Sequence, residues 1–367
     1  MPYAHITGWG MAAPDSVLTN DDLSKMVETN DAWIRERTGI RERRIARDGQ
    51  TTSSLGVEAA LNALRIANLR PTDLDLIICS TSTPDHIFPA TACLIQDQIG
   101  ATKAGAFDLL AACSGFIYAT NMAAQAIRSG SIKNALVIGA ETLSRFVNWK
   151  DRNTCILFGD GAGAFVLQAS ERPGGVYSAV MHSDGSGSDL LAVPGGGSAL
   201  PATEATVHAG RHYIEMDGKE VFRFATRVMA QATNEALDAA GLKLEDVNWI
   251  VPHQANIRII EAAARGLKLP MDRFIVNLDR YGNTSTASIP IAAVEAVEKG
   301  QIKTGDKLVM VGFGAGLTWG ALTAEWTGPI PSKGHVYPAQ YRALGRVRSF
   351  VRRAIRFIEG IIFRREL

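Results

Sequence analysis

Three side chains in this sequence could together perform covalent catalysis: the thiol of Cys113, the imidazole of His253 and the amide of Asn283. Cys113 follows an apolar run and stands where a helix is predicted to begin. Unpaired amides and the helix dipole at such a position stabilise an anion and lower the pKa of a thiol. A thiolate can accept an acyl group, while imidazole and amide N–H groups can donate hydrogen bonds to an oxygen that becomes negative. The three residue types therefore predict a nucleophile with two oxyanion-stabilising partners.

An internal repeat is the reason to place these three residues together. The pattern of residues 63–78 recurs in residues 236–251, and this alignment sets Ser80 against His253. Further along, Cys113 precedes the Gly-Ser-Ile-Lys segment at 130–133 by the same number of residues as Asn283 precedes Gly-Gln-Ile-Lys at 300–303. A chain folded as two similar halves would bring matching positions towards one pseudo-twofold axis. The repeat therefore predicts a single site with residues from both halves.

The elements that must position the site alternate between apolar strands and Gly- and Ala-rich helices. Strands are predicted at 76–79, 106–109, 135–139, 162–168, 249–252, 274–277 and 308–312. Helices are predicted at 54–67, 91–99, 113–129, 220–240, 257–265 and 285–298. This alternation predicts an α/β fold of two stacked sheets with helices between and outside them. We expect an N-terminal half at 1–175, a C-terminal half at 176–330 and an extension at 331–367. The Gly-rich segment 183–212 is either a surface linker or a functional lid.

Composition excludes several classes of function. The 367 residues are 46% hydrophobic and 20% charged, with a formal net charge of +1, which is typical of a globular protein and not of a nucleic-acid binder. Four scattered cysteines form neither a disulfide framework nor a metal-ligand spacing, so we expect no metal and a reducing, cytoplasmic compartment. The N-terminus lacks the pattern of a signal peptide, and no apolar run reaches the roughly 18 residues of a membrane span.

Six motifs resemble the β-ketoacyl-acyl carrier protein synthase III family of the thiolase fold. The resemblance covers about residues 1 to 327, and its motifs lie at 33–43, 111–116, 158–163, 253–256, 282–285 and 312–319. It implies a thiolase-like fold in which two duplicated βα halves form a layered α-β-α-β-α arrangement. It also implies a homodimer that uses acyl-coenzyme A as a substrate and binds no cofactor permanently.

The resemblance assigns a reaction to the three candidate catalytic residues. Cys113 would take an acyl group from acyl-coenzyme A, and His253 with Asn283 would promote decarboxylation of malonyl-acyl carrier protein. The resulting carbanion would attack the acyl-enzyme and release 3-oxoacyl-acyl carrier protein, the first condensation of fatty acid synthesis. Phe313 would help to drive carboxylate loss, and the amides of Cys113 and Ala315 would bind the thioester oxygen.

Further residues are implied as binding groups. Trp33 and Arg152 would sandwich the adenine of coenzyme A, which Arg37 and Asn256 would also contact. Arg258 would meet the acidic carrier protein at the mouth of the tunnel.

By the same resemblance, Phe88 would reach the acyl tunnel of the partner subunit. Two other functions remain open at this point. One is a specialised condensing enzyme of the same fold that passes its acyl group to another acceptor, as in secondary metabolism. The other is a non-catalytic membrane or partner adaptor, which the intact Cys113, His253 and Asn283 make the weaker alternative.

The C-terminal extension departs from the family, whose members typically end soon after the strand near residues 321–326. Its arginines are interleaved with apolar residues at helical spacing: Arg346, Arg348, Arg352, Arg353 and Arg356 with Val347, Val351, Ala354, Ile358, Ile361 and Ile362. Such a basic amphipathic helix, expected at 343–363, can lie on an anionic membrane surface. Alternatively, it docks on the body of the enzyme or on its dimer mate.

Overall fold

The computed structural model describes residues 1–331 and 335–363, without the side chains of residues 360, 362 and 363. The strands are β1 (Tyr3–Ala12), β2 (Val17–Thr19), β3 (Glu42–Arg44), β4 (Leu76–Ser80), β5 (Gly105–Leu109), β6 (Asn134–Thr142), β7 (Asp160–Ser170), β8 (Val176–Ser183), β9 (Leu191–Ala192), β10 (Glu215–Met216), β11 (Trp249–Pro252), β12 (Lys307–Gly314) and β13 (Thr318–Glu325). The helices are α1 (Asn20–Leu23), α2 (Asp31–Thr38), α3 (Thr52–Ala67), α4 (Thr91–Ile99), α5 (Gly115–Arg128), α6 (Arg152–Cys155), α7 (Glu204–His208), α8 (Gly218–Ala240), α9 (Ile257–Leu267), α10 (Leu278–Tyr281), α11 (Ser288–Glu298) and α12 (Pro338–Phe363).

Two sheets of matching strand order form the framework. The first has the order β1-β7-β6-β4-β5, and the second has the order β8-β13-β12-β11. In the first sheet β4 pairs in parallel with both β5 and β6, whereas the β6–β7 and β7–β1 pairs are antiparallel. In the second sheet β11 pairs in parallel with β12, whereas the β12–β13 and β13–β8 pairs are antiparallel. The duplication predicted from the sequence is therefore present in the topology, whereas the boundary between halves at residue 175 stays a prediction.

The prediction of a strand at 274–277 is wrong. This segment forms an isolated bridge between Phe274 and Ile250 and is not a strand. The N–H of Ile275 still donates to the carbonyl of Ile250 in β11 at 2.9 Å, but the side chain of Gln254 occupies the next backbone groups of the segment. The amide nitrogen of that side chain donates to the carbonyl of Ile275 at 3.0 Å, and its oxygen accepts from the N–H of Asn277 at 3.0 Å. The second sheet therefore has four strands where the first has five.

The helices lie in three layers. Helices α3 and α4 pack on the outer face of the first sheet, α5 and α11 lie between the two sheets, and α8 covers the outer face of the second sheet with α9 packed against it. The central layer is filled with small and β-branched side chains such as Ala119, Ala123 and Ile289, which are fully buried. This is the predicted α-β-α-β-α arrangement, and it brings the starts of α5 and α11 together at the centre of the molecule.

The two copies of the repeat can be aligned at the starts or at the ends of their central helices, α5 and α11, and the two alignments differ. A short 3-10 turn precedes each helix, Ala112–Ser114 before α5 and Ser285–Ala287 before α11, and the first residue of each turn has positive φ, 45° at Ala112 and 48° at Ser285. Helix α5 has 14 residues and α11 has 11, so an alignment on the following glycines misplaces the helix starts. By the turns, Cys113 corresponds to Thr286, and Asn283 lies ahead of the turn. The predicted match of Cys113 with Asn283 is corrected accordingly.

The Gly-rich segment 183–212 is an ordered part of the wall of the site. It contains a 3-10 turn at Gly185–Gly187, strand β9 and helix α7, and β9 pairs with β10. Leu191 of β9 and Met216 of β10 both line the cavity that contains Cys113. Of the two interpretations of this segment, the structure favours the functional one over a linker.

Helix α12 docks on α4 through one face and exposes the other. Gly345 is buried against α4, where an added Cβ would lie 3.1 Å from the carbonyl oxygen of Asp97 and 3.2 Å from the Cα of Gly100. Ser349 donates a hydrogen bond to the carboxylate of Asp97. Large apolar side chains lie away from this contact and are exposed, among them Val347, Val351 and Ile358. None of the helices in the described residues is sufficiently long and apolar to cross a membrane.

Candidate active site

A buried cavity of about 80 Å³ lies between the two halves of the fold. Residues from both halves line it, and they include Cys113, His253, Asn283, Phe313 and Gly314. The 3-10 turn before α5 carries Cys113, the end of β11 is followed by His253, and the end of β12 carries Phe313. The structure therefore brings together the three residues that the sequence singled out for chemistry.

Cys113 lies where the backbone of β12 passes close to the turn before α5. An added Cβ at Gly314 would lie 2.6 Å from the backbone nitrogen of Cys113, so only glycine allows β12 to pass this turn. The Cys113 side chain is 6% exposed. Burial raises the pKa of its thiol to about 12, and a hydrogen bond with Ser285 opposes that rise. The net shift of this pKa is therefore upward, opposite to the lowering expected from the helix start, because burial removes the hydration of the thiolate.

His253 is a buried neutral imidazole. Its backbone N–H donates to the carbonyl of Val311 at 2.8 Å, and its Nδ1 lies 2.7 Å from the hydroxyl of Ser288. That hydroxyl accepts from the backbone N–H of Gln254 at 3.3 Å, which leaves its proton for Nδ1. With the Ser288 hydroxyl donating to Nδ1, we assign the imidazole proton to Nε2, which makes Nε2 a donor towards the cavity. Burial lowers the pKa of His253 to about 3, so the ring is neutral at physiological pH.

Asn283 is fixed at its backbone and at its side-chain oxygen. Its N–H donates to the carbonyl of Leu157 at 2.8 Å, and its own carbonyl accepts from Gly159 at 3.0 Å. Its Oδ1 accepts from the backbone N–H of Ser285 at 2.8 Å. The Nδ2 group is therefore the donor that Asn283 offers to the cavity it lines. Two N–H donors, one from His253 and one from Asn283, suit an oxygen that gains negative charge.

Phe313 lies against the imidazole, with its ring centroid 5.3 Å from that of His253 and an interplanar angle of 70°. It contributes an apolar wall, which disfavours a carboxylate group in the cavity. Ala315 follows the end of β12, and its carbonyl accepts from the hydroxyl of Thr318 at 3.0 Å. Its neighbour Gly314, rather than Ala315 itself, contributes to the cavity lining.

The residues implied for coenzyme A cluster on the surface beside the cavity. The guanidinium of Arg152 stacks over the Trp33 ring at 4.9 Å from its centroid, and that of Arg37 lies 5.7 Å from the same centroid. Asn256 lines the cavity, donates from Nδ2 to the carbonyl of Arg37 at 3.0 Å and caps α9. Arg258 is the second residue of that helix, and its guanidinium lies 5.6 Å from the centroid of the Phe222 ring. These five residues therefore form one patch at the cavity mouth.

Phe88 lies far from this arrangement in sequence and does not line the cavity of its own chain. Its side chain is 84% exposed, and that of the neighbouring Ile87 is 82% exposed. Leu110, which follows the edge strand β5, is also exposed. An isolated protomer therefore presents an apolar surface here.

Sequence reasoning missed three polar residues and one basic residue at the site. Ser285 and Ser288 position Asn283 and His253, and Glu141 is a fully buried carboxyl at the end of β6. Arg35 lines a surface groove with Arg37 and Arg258. The serines stand in the 282–288 segment, so the motif could have indicated them. The only sequence signal for Glu141 is a charged residue that interrupts an otherwise apolar strand.

The described residues contain no group of three or more histidine, cysteine or acidic side chains that could hold a metal ion. Cys79, Cys93, Cys113 and Cys155 are free thiols. The donors at the site are a thiol, an imidazole and an amide, a set suited to thioester chemistry.

Comparison with known proteins identifies the family. Models described as 3-oxoacyl-[acyl-carrier-protein (ACP)] synthase III and its C-terminal part match residues 107–185 and 237–326. A β-ketoacyl-[acyl-carrier-protein] synthase III of Roseiflexus sp. (strain RS-1) is 54% identical over 89% of this chain and 99% of its own length.

Solved structures agree with the sequence comparison. The crystal structure of 3-oxoacyl-[acyl-carrier-protein] synthase III from Aquifex aeolicus VF5 is 48% identical, with a TM-score of 0.81, and the match covers 88% of this chain and 99% of that one. The priming β-ketosynthase of the R1128 polyketide biosynthetic pathway is 35% identical with a TM-score of 0.82, and the match covers 89% of this chain and 97% of that one. The chain therefore belongs to the 3-oxoacyl-[acyl-carrier-protein] synthase III family of thiolase-fold acyltransferases.

Proposed function

We propose that the chain catalyses the decarboxylative condensation of an acyl-coenzyme A with malonyl-acyl carrier protein, which starts fatty acid synthesis. Family membership supports the reaction, and one observation supports its location: Cys113, His253 and Asn283 line a single buried cavity. A specialised enzyme of secondary metabolism is less favoured, because the polyketide priming synthase is 35% identical whereas the Roseiflexus synthase is 54% identical. A non-catalytic adaptor is also less favoured, because it would not need a thiol, an imidazole and an amide around one cavity.

In the first half-reaction, Cys113 takes the acyl group. Its sulfur attacks the thioester carbonyl, a bond forms between Sγ and the acyl carbon, and coenzyme A leaves. The backbone N–H of Cys113 donates to the developing oxyanion, with the second donor supplied by the backbone at the end of β12, where we place Ala315. Fixed donors of this type act without reorganisation during the reaction.

In the second half-reaction, His253 and Asn283 stabilise the carbanion. Loss of carbon dioxide from the malonyl group leaves an enolate whose thioester oxygen accepts from Nε2 of His253 and Nδ2 of Asn283. A neutral imidazole suits this role, since its N–H donates a hydrogen bond to the enolate oxygen while the ring itself carries no charge. Phe313, packed on the imidazole, presents an apolar surface to the carboxylate and thereby favours its departure.

The patch at the cavity mouth is the proposed site of coenzyme A and the carrier protein. Trp33 and Arg152 are stacked on each other and would separate to admit the flat adenine between them. Arg37 and Asn256, joined by a hydrogen bond, would contact the coenzyme, and Asn256 also lines the cavity. Arg258 lies in a polar groove on the same rim and would meet the acidic carrier protein.

The proposed assembly is a homodimer. Ile87, Phe88 and Leu110 are large, apolar and exposed, and Leu110 directly follows the edge strand β5. A symmetric partner would cover this surface and pair the open strand edge. Phe88, which does not line its own cavity, would then reach the acyl tunnel of the partner subunit.

We place the enzyme in the cytoplasm without a permanently bound cofactor. Thioester exchange and decarboxylation on this residue set need acyl-coenzyme A as a substrate and no metal. The four cysteines are free thiols, as is usual in a reducing compartment.

The test of the nucleophile is covalent labelling. Incubation with acetyl-coenzyme A and short-chain analogues, followed by intact mass and peptide mapping, is expected to place one acyl group on Cys113. Cys93, which is exposed, is the internal control for non-specific acylation. An adduct on Cys79, Cys93 or Cys155, or no adduct with any donor, contradicts the assignment.

A second exposed apolar surface, besides the proposed dimer surface at Phe88, is the apolar face of α12. We place this face on an anionic lipid bilayer. The docked face of α12 is occupied by α4, whereas Val347, Val351 and Ile358 are exposed away from that contact. Residues 338–363 contain six arginines and one acidic residue, Glu359. This charge complements anionic headgroups and opposes pairing with a second copy of the same helix.

A further inference from the structure

The two sides of the proposed adenine site belong to separate elements of the fold. Trp33 lies on α2, and Arg152 is the first residue of α6. The guanidinium of Arg152 lies 4.9 Å from the centroid of the Trp33 ring. These two helices are far apart along the chain, so the distance between the two side chains depends on the tertiary contacts that hold α2 and α6.

Apolar packing brings α2 and α6 together but does not fix their register. Ile34 of α2 belongs to the same buried cluster as Cys155 of α6 and Ile156, which follows α6 directly. Apolar contacts of this kind are non-directional. A directional contact, from the guanidinium of Arg152 to the carbonyl of Glu28 at 3.0 Å, lies at the surface, where water competes for both groups.

Arg43 of β3 is a buried residue that joins the two elements. Its side chain is 0% exposed. Its Nη2 donates to the carbonyl of Ile156, directly after α6, at 2.7 Å. Its Nη1 donates to the carbonyl of Leu18 in β2 at 3.2 Å and to Oδ1 of Asn20 at 2.9 Å. The guanidinium therefore ties the end of α6 to the first residue of α1.

Asn20 extends this link to both ends of α2. Its Nδ2 donates to Oδ1 of Asp31, the first residue of α2, at 2.9 Å. The same nitrogen donates to the carbonyl of Ile40, two residues after the end of α2, at 2.8 Å. Asn20 is only 1% exposed, so its bonds are shielded from water. A shift of α2 relative to α6 must therefore break or stretch buried hydrogen bonds.

We propose that Arg43 is a positioning residue for coenzyme A, which acts through Asn20 to hold α2 and α6 at the spacing that the adenine needs between Trp33 and Arg152. The inference rests on the proposed use of Trp33 and Arg152 as the adenine site. With the two helices held in place, only the two side chains have to move apart when the adenine enters. A site arranged in advance loses less free energy to ordering when its ligand binds.

This role has a selective consequence, because adenine is part of acyl-coenzyme A and not of malonyl-acyl carrier protein. Loss of the link should weaken the use of the coenzyme and spare decarboxylation. The test variant must keep the stem of Arg43, since an added Cβ at Gly159 or Gly282 would lie 3.1 Å from the Cβ of Arg43. These glycines adjoin Asn283 in sequence and by a backbone hydrogen bond, so the stem also supports the catalytic loop.

The test uses Arg43→Met, which keeps an unbranched stem and removes all the donors. Acetylation of Cys113 is measured with acetyl-coenzyme A and with acetyl-pantetheine, which has no adenine. The concentration of acetyl-coenzyme A that gives half the maximal rate is expected to rise about tenfold, because binding must then order a site that the wild-type fold already holds in place. Acetylation by acetyl-pantetheine and decarboxylation of malonyl-acyl carrier protein should stay within twofold of the wild type.

Two outcomes of this experiment overturn the inference. An equal loss with acetyl-coenzyme A and acetyl-pantetheine shows that Arg43 supports the fold or the catalytic loop and does not position the adenine site. Unchanged rates with both donors show that α2 and α6 keep their spacing without the guanidinium.

Two further variants keep the result interpretable. Asn20→Asp retains an acceptor for Arg43 but removes the donors to Asp31 and Ile40, and it should show the same selective loss. Arg44→Met is the matched control, because the Arg44 guanidinium pairs with Glu42 at 3.3 Å instead; it should leave the ratio of the two acetylation rates unchanged. Thermal melts check folding of each variant, and Asn20→Asp decides the question if Arg43→Met does not fold.

The wild-type protein separates failure of the proposed function from failure of this inference. Absence of acetylation of Cys113 with either donor refutes the proposed nucleophile. Equal rates of the wild type with acetyl-coenzyme A and acetyl-pantetheine show that the adenine contributes nothing, which overturns the adenine site and the role of Arg43 while leaving the nucleophile in place.

Discussion

Replacing three arginines of α12 by glutamine is expected to release the protein from anionic membranes. Arg346, Arg348 and Arg353 lie along the helix whose apolar face is exposed, and each arginine near an anionic surface contributes about 1 kcal/mol. Their combined loss of about 3 kcal/mol corresponds to roughly a 10²-fold weaker partition. The assay is flotation with vesicles that contain phosphatidylserine, at low and high salt. The matched control replaces the same residues by lysine, which retains the charge.

The apolar contribution is tested separately. Full burial of a Val or Ile side chain contributes about 1.5–3 kcal/mol. Val351 is 48% exposed and Ile358 is 55% exposed, so each has about half of that free energy still to gain. Val351→Ser with Ile358→Ser should thus weaken partition by about 2 kcal/mol, roughly 30-fold.

Three outcomes bear on the membrane assignment. Equal flotation of the wild type and the arginine variant, or of the full chain and a chain ending at Pro331, refutes bilayer contact. Loss of condensing activity on that truncation shows that α12 serves the enzyme body or its partner subunit. Binding to a purified acidic carrier protein that falls with the arginine variant, without flotation of the wild type, assigns the helix to a protein partner instead.

Three further predictions concern the site and the assembly. His253→Ala and Asn283→Ala should retain most acylation of Cys113 but lose malonyl decarboxylation by about 10²–10³-fold, since each removes one donor to the enolate; wild-type decarboxylation in either would contradict the assignment. Sedimentation at micromolar concentration should show a dimer, and Phe88→Ala should alter acyl-chain preference; a monomer, or an unchanged preference, counts against the respective claim. Glu141→Gln should gain about 2.5 kcal/mol of stability relative to wild type as pH rises from 5 to 8, because the pKa of Glu141 is raised to about 7 in the folded protein and its ionisation then favours the unfolded chain. A pH-independent difference in denaturant titrations would exclude this linkage.

Residue types and local periodicity were sufficient to predict the framework and the centre of the site. The alternation of apolar strands and helices predicted the layered α/β fold, and the recurrence of the 63–78 pattern in residues 236–251 indicated its duplication. Cys113 was located by its place before a helix and His253 by its place after a strand. Such signals are visible in the sequence because they depend on neighbours along the chain.

Features that depend on competition between distant groups required the tertiary structure. The strand predicted at 274–277 does not form, because Gln254 takes up its backbone hydrogen bonds. The repeat register at Asn283 depends on helix lengths that no local pattern fixes.

The electrostatics of the site and the orientation of the tail were likewise decided by packing. The helix start predicted a lowered thiol pKa at Cys113, yet burial in the assembled fold raises it. Amphipathic spacing predicted α12 but not which face would dock. Gly345 permits close approach to α4, so the helix packs by its small residue and leaves Val351 and Ile358 exposed. Desolvation and close packing are properties of the assembled layers, which is why the sequence alone could not determine them.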